Sequence, residues 1–244
     1  GVTNMSKMFE NQSFNGDIYN WDTSNVENMS YMFASNSNFN QDINTKDYPA
    51  GNRLAWDVSS CIDFHSTFVN STSFNSSIDK WKIYTSTGNV SLERMFHGAT
   101  SFNSALNTSE VTVGQGAYQE TYLAWDIQRV NTLYFTLENT AFNSSLSNWD
   151  TSNVTTISRL FKSNSFNQPL INQQVTVGSG GNQRTYNAWD VSNVTTMYRT
   201  FMQNSSFNQD LSSWDINTSG DVNMSEMFWY CLLYTSDAAD DCEG

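Results

Sequence analysis

One pattern restricts this chain more than any other: a Phe-Asn pair, an Ile or Leu four residues after the Phe, and then a Trp, repeated seven times along 244 residues. The first two positions are Phe14 and Ile18, Phe39 and Ile43, Phe74 and Ile78, Phe102 and Leu106, Phe142 and Leu146, Phe166 and Leu170, and Phe207 and Leu211. The tryptophans that follow are Trp21, Trp56, Trp81, Trp125, Trp149, Trp189 and Trp214. Such a period marks like units, each too small to bury its own apolar face, so that stability must come from contact between neighbours. These Phe and Trp side chains are the expected repeat core, and the 14% aromatic content is too high for a disordered chain.

After each Trp stands an Asp (Asp22, Asp57, Asp126, Asp150, Asp190, Asp215), with Lys82 the exception, and then a Thr/Ser/Asn turn. Apolar residues follow at i, i+3, i+6 and i+7, as in Val26, Met29, Met32, Phe33 and in Val154, Ile157, Leu160, Phe161. That spacing predicts a two-turn helix, capped by the side-chain oxygens of the preceding Thr-Ser-Asn. The segment around Ile or Leu and Trp is short and rich in strand-formers, which predicts a strand. The expected architecture is an α/β repeat solenoid over residues 1–230, each coil a short strand plus a short helix.

The number of residues from Ile or Leu to the next Trp runs 3, 13, 3, 19, 3, 19, 3, so long and short copies alternate. The two longest inserts are alike: Val111-Thr112-Val113-Gly114 leads to Thr121-Tyr122, and Val175-Thr176-Val177-Gly178 leads to Thr185-Tyr186. Alternating β-branched residues around a glycine-rich turn predict hairpins. The first insert, Asn44 to Ala55, is shorter and turns at Pro49-Ala50-Gly51. Because packed sheets need about 10 Å against about 4.8 Å between neighbouring strands, hairpins on every second coil have room to project as fins from one edge.

Charge excludes one class of partner: 24 Asp plus Glu against 11 Lys plus Arg repel a polyanion, so nucleic acid is not expected. No stretch approaches the roughly 18 apolar residues of a membrane span. The cysteines, Cys61, Cys231 and Cys242, have neither a disulfide framework nor metal-ligand spacing, and Cys61 reads as a small core residue.

The string Asn-Trp-Asp-Thr-Ser-Asn-Val (Asn20 to Val26, Asn148 to Val154), the Met32-Phe33 after it, and Phe-Asn-Gln-Asp (Phe39 to Asp42, Phe207 to Asp210) resemble the short repeat of bacterial BspA-like surface proteins and mycoplasma lipoproteins. The resemblance covers nearly all of residues 1–230. It implies a leucine-rich-repeat-like solenoid, an extracellular or cell-surface location and a role in adhesion or cell contact. The long inserts, Lys82 and the weakened segment Cys61, Phe64, Phe68 depart from the pattern. Residues 231–244 resemble a translated sequencing adapter, and the chain reads as a metagenomic fragment with a non-native tail.

No phosphate loop, nucleophile elbow or paired catalytic acids stand out, and repetition itself argues against an enzyme, which needs one unlike constellation. No cofactor is implied. The Asp after each Trp reads as a turn residue in preference to a calcium ladder. His65 and His97 have no partner pattern. The sequons at Asn28, Asn75, Asn143, Asn153, Asn193 and Asn204 read first as turns, and the Asn of Phe-Asn as a buried amide ladder. The candidate binding surface is the row of fins, with Tyr118, Tyr122, Tyr186 and Arg184 as exposed contacts for a protein or a glycan. A passive spacer or stalk without a ligand is the alternative.

Overall fold

A computed structural model describes residues 1–50, 52–84, 88–217 and 220–231. The tail assigned to 231–244 lies outside the described residues except for Cys231, which is buried with its Sγ 2.9 Å from the Asn204 carbonyl.

The repeat core is formed by rings in register. Phe14, Phe39, Phe74, Phe102, Phe142, Phe166 and Phe207 make a continuous ladder with centroids 5.8–6.5 Å apart. A second ladder runs beside it through Phe9, Phe33, Phe68 and Phe96, then Phe161, Phe201 and Phe228, at 5.5–5.6 Å per step. The fully buried Leu137 takes the ladder position between Phe96 and Phe161. Trp21 and Trp56, Trp149 and Trp189, and Trp189 and Trp214 are stacked at 6.2–6.3 Å. Trp21 and Phe14 are only half-buried, whereas Trp56, Trp81, Trp125, Trp149 and Trp189 are fully buried.

A buried indole N–H needs an acceptor. Each one finds it in the unit before: Trp56, Trp81, Trp125, Trp149, Trp189 and Trp214 donate to the carbonyls of Ile18, Ile43, Ile78, Leu106, Leu146 and Leu170 at 2.6–2.9 Å. The aliphatic position of each motif therefore supplies both a core contact and the backbone acceptor for the next unit's indole, although its distance to its own Trp varies.

The units are not the strand-plus-helix coils that the spacing and the resemblance imply. No α-helix occurs among the described residues. The segment around Val26 to Asn36 is instead a run of overlapping turns. Met32, Ala34 and Asn36 donate back three residues to Met29, Tyr31 and Phe33, while the amides of Met29, Tyr31, Phe33 and Ser35 donate to Asp63, His65, Thr67 and Val69 of the next unit. Half of the backbone polarity is thus satisfied between units, where a helix would satisfy it internally.

This geometry needs left-handed residues two before and two after each ladder position. They are Lys7 and Asn11, Tyr31 and Ser35, Ser66 and Asn70, Arg94 and Gly98, Phe135 and Asn139, Arg159 and Ser163, Arg199 and Gln203, and Glu226 and Tyr230. The expected strand at the Trp is also absent. Among the described residues parallel pairing is confined to single bridges near the start of each turn run, such as Asn28 with Asp63 and Thr156 with Thr196.

The inserts are antiparallel hairpins as expected: β1 (Lys46–Asp47) with β2 (Leu54–Ala55), β3 (Ser109–Val113) with β4 (Glu120–Ala124), and β5 (Gln173–Val177) with β6 (Arg184–Ala188). The second and third share one register, with Thr112 facing Thr121 and Thr176 facing Thr185, hydroxyl to hydroxyl at 2.9 Å in both. Each longer hairpin turns through a short 3-10 segment, Gly116–Tyr118 or Gly180–Asn182. Gly114 is required at its turn: its φ is +81°, and a Cβ there would lie 2.1 Å from the Tyr118 carbonyl oxygen.

Candidate binding surface

Each hairpin is fastened to the same two positions of the short unit before it. The residue three before the Trp donates to the carbonyl of the residue just before the preceding Trp: Arg53 to Asn20 at 2.9 Å, Tyr122 to Lys80 at 2.6 Å, and Tyr186 to Asn148. A charged residue of the hairpin then pairs with the residue after the preceding Trp. Arg53 lies 3.8 Å from Asp22, Glu120 lies 3.3 Å from Lys82, and Arg184 lies 2.7 Å from Asp150. Lys82, the one break in the Trp-Asp rule, is explained by this pairing, because the hairpin facing it carries Glu120 where the next carries Arg184.

Arg184 also reaches Asp126 at 2.5 Å, so its planar guanidinium ties two nearly buried carboxylates together. Burial pushes the Asp126 carboxyl above its ordinary range, with Arg184 opposing that rise. For Arg184, burial works to lower the pKa, but Asp126 and Asp150 outweigh it and raise it.

Successive hairpins touch one another. The Gly114 amide donates to Asp47 at 2.7 Å, which joins the second hairpin to the first. The Ser179 amide and hydroxyl donate to Glu110 at 3.1 and 2.7 Å, and Asn182 donates to the Thr121 carbonyl at 2.8 Å, which joins the third to the second. The Ser179 hydrogen bonds hold the Glu110 carboxyl below its usual value. The three hairpins are therefore a continuous row rather than separate fins.

Two clefts open along this row. One, of about 180 Å³, lies between the first and second hairpins and is lined by Asp47, Tyr48, Arg53, Gln115 and Tyr118. The other, of about 260 Å³, lies between the second and third and is lined by Lys82, Tyr84, Tyr122, Asp126, Gln128 and Arg184 among others.

Of the four side chains expected to be exposed contacts, only Tyr118 is open, at 49%. Tyr122 is 5% exposed and Tyr186 half-buried, each hydroxyl held by the carbonyl named above. Burial pushes the Tyr186 phenol up to about 12 and raises that of Tyr122 further. Arg184 faces the second cleft but is already paired. Tyr84, Gln128 and Asn182 were not singled out by the sequence; the one signal for that region was the anomalous Lys82.

Other expectations resolve in the same terms. Asp22, Asp57, Asp126, Asp150 and Asp190 accept the amide two residues on, which is a turn role. Among the described residues no group of three or more His, Cys, Asp or Glu is placed to hold a metal ion. The amide ladder exists, each Asn Oδ1 from Asn15 to Asn167 accepting the amide of the next Asn at 2.8–3.0 Å, but it runs along the surface and is not buried. The sequon residues are held similarly: Asn153 and Asn193 donate to Gln128 and Ser152, and the buried Asn204 to Phe166.

His65 has a partner in the Tyr31 hydroxyl at 2.9 Å, whereas the His97 Nδ1 lies 3.7 Å from the Glu138 carboxylate without a hydrogen bond, and burial lowers its pKa. Cys61 is a core residue whose thiol burial pushes up to about 12, beyond reach of thiolate chemistry at neutral pH.

No curated protein and no solved structure matches the chain. A family model described as "Mycoplasma protein of unknown function, DUF285" matches residues 1–109, 106–180 and 181–241, and on that match, repeated along almost its whole length, the chain belongs to this family.

Proposed function

We propose that the chain is a solenoid module of a cell-surface or secreted protein whose hairpin row is a binding face for a protein or a glycan. The observation that carries this reading is the row itself. Three hairpins on alternate units are fastened at equivalent positions and joined to one another. The core ladders of the short units already close without hairpins, so stacking alone does not call for them. A surface fixed in advance loses little conformational entropy when a partner docks, which favours recognition. The Asn, Ser and Thr that solvate the rest of the molecule suit an extracellular setting, and an acidic balance suits a partner other than nucleic acid.

A passive spacer is the second reading, favoured by the internal contacts of Tyr122, Tyr186 and Arg184. The test replaces each hairpin by the two-residue link of a short unit and compares the two chains on arrays of glycans and extracellular-matrix proteins. The binding reading expects signal from the intact chain that disappears from the trimmed one. Equal signal from both, or none from either, supports the spacer.

A further inference from the structure

The cleft between the second and third hairpins has the makings of a site in its own right. Its lining sets Tyr84, Tyr122 and Leu123 beside polar groups whose charges are already matched: Lys82 by Glu120 at 3.3 Å, and Arg184 by Asp126 and Asp150 at 2.5 and 2.7 Å. A free anion or cation gains little there, because each charge it meets has a partner. A neutral ligand bearing hydroxyls gains more, since hydrogen bonds to ionised groups are about twice as strong as those between neutral groups.

The groups are also held in place. Asp126 accepts the Gln128 amide at 3.3 Å and lies 3.4 Å from the Gln128 side-chain nitrogen, and the Tyr122 hydroxyl is fixed on Lys80 at 2.6 Å. Tyr84 adds a half-buried aromatic face to the lining. The volume, about 260 Å³, falls just below the roughly 300–1,000 Å³ typical of sites for drug-sized ligands, which points to a single ring.

We propose that this cleft binds one neutral pyranose ring at the end of a glycan. Asp126, Gln128 and Arg184 take its hydroxyls, and Tyr84 lies against its carbon face. The site deepens the binding reading above and rests on it.

The experiment is ligand-observed NMR of the full chain with methyl glycosides of neutral hexoses and of N-acetylhexosamines, and with a sulfated and a carboxylated sugar for comparison. At least one neutral glycoside is expected to bind. Its affinity should fall by about tenfold, the worth of one good hydrogen bond or ring contact, in both Gln128→Ala and Tyr84→Ala, and stay unchanged in Tyr118→Ala at the other cleft. Thermal melts of the variants separate lost binding from lost folding, and Gln128→Glu, which keeps the chain's shape and adds charge, serves as the second cleft variant. The proposal is overturned if no neutral glycoside binds, if only the charged sugars do, or if binding survives the cleft substitutions. If a partner on the arrays is retained by the cleft variants and lost with the hairpins, the cleft assignment fails while the surface reading stands. If it is retained without the hairpins, the surface reading fails as well.

Discussion

The short and the hairpin-bearing units reach the same core by different backbones. In the short units the Trp amide closes a turn onto its own aliphatic residue, Trp81 onto Ile78 and Trp149 onto Leu146 at 3.1 Å. In the hairpin-bearing units that carbonyl is 13 or 19 residues away, and the amide crosses to the preceding unit: Trp56 to Trp21, Trp125 to Trp81, and Trp189 to Trp149, all at 3.0 Å. The chain leaving the hairpin must also bend sharply, so Trp56, Trp125 and Trp189 sit at φ of 49–51°, a region that costs a bulky residue about 1–2 kcal/mol. The indole nevertheless lands in the same place, with its N–H on the aliphatic carbonyl of the unit before. Ring position is thus the conserved quantity, and the backbone adapts to it.

That comparison can be broken most directly at the tryptophans. Trp81→Ala and Trp125→Ala should each lower unfolding stability by about 3–5 kcal/mol in urea titrations, as expected for a fully buried aromatic side chain. A loss at Trp125 well below that at Trp81 would show that relief of left-handed strain offsets the missing ring.

Next in size is Arg184→Leu, which leaves Asp126 and Asp150 without their shared cation. About 2–3 kcal/mol is expected, less than for a fully enclosed pair because the arginine side chain is 26% exposed. The deficit has a pH signature. Burial already raises the Asp126 pKa, and removing Arg184 raises it further, so the folded variant holds that proton more tightly than the unfolded chain. Its deficit should therefore be largest at neutral pH and shrink as pH falls through the raised value toward 3.8, which melts at a series of pH values would reveal. A deficit independent of pH would place the damage elsewhere.

Gly114→Ala sharpens the contrast between the two glycines of one hairpin tip. At Gly114 both the φ of +81° and the Tyr118 carbonyl oppose a side chain, so roughly 1–3 kcal/mol is expected. At Gly116, where nothing lies within 4 Å of the added Cβ, about 1 kcal/mol should be lost for φ alone.

The smallest effect concerns the rule that pairs hairpin with preceding unit. Lys82→Glu or Glu120→Lys alone should cost about 0.2–1 kcal/mol, and the double exchange should recover most of it, since this pair is largely open to solvent. A cycle with no coupling would show that the hydrogen bond from Tyr122 fastens the hairpin without help from the charges.

Much of this was legible in the residues. The register of Phe14 to Phe207, the burial of Trp56 to Trp189, the alternation of short and long units and the paired strands of each insert all follow from the spacing of apolar and β-branched side chains. The helix was misread for a definable reason. Val26, Met29, Met32 and Phe33 occupy one side of a helix, but they equally occupy one side of a run of turns with left-handed residues two before and two after Phe33. Glycine would have betrayed those positions, yet among them only Gly98 is glycine, with Asn11, Asn70 and Asn139 as weaker hints. The surface was misread because hydroxyls on Tyr122 and Tyr186 were expected to face a partner, when each had a carbonyl of the preceding unit to satisfy.

By itself the sequence determined which side chains form the interior and how far apart along the chain they recur, because apolar burial depends on residue type and period. The tertiary structure alone decided the handedness of the backbone at Tyr31, Phe135 or Trp125, the acceptor of each indole, and which carboxylates Arg184 joins. Those choices are made by hydrogen bonds between units, and a bond whose two ends lie some 20 to 58 residues apart has no signature in the local sequence of either.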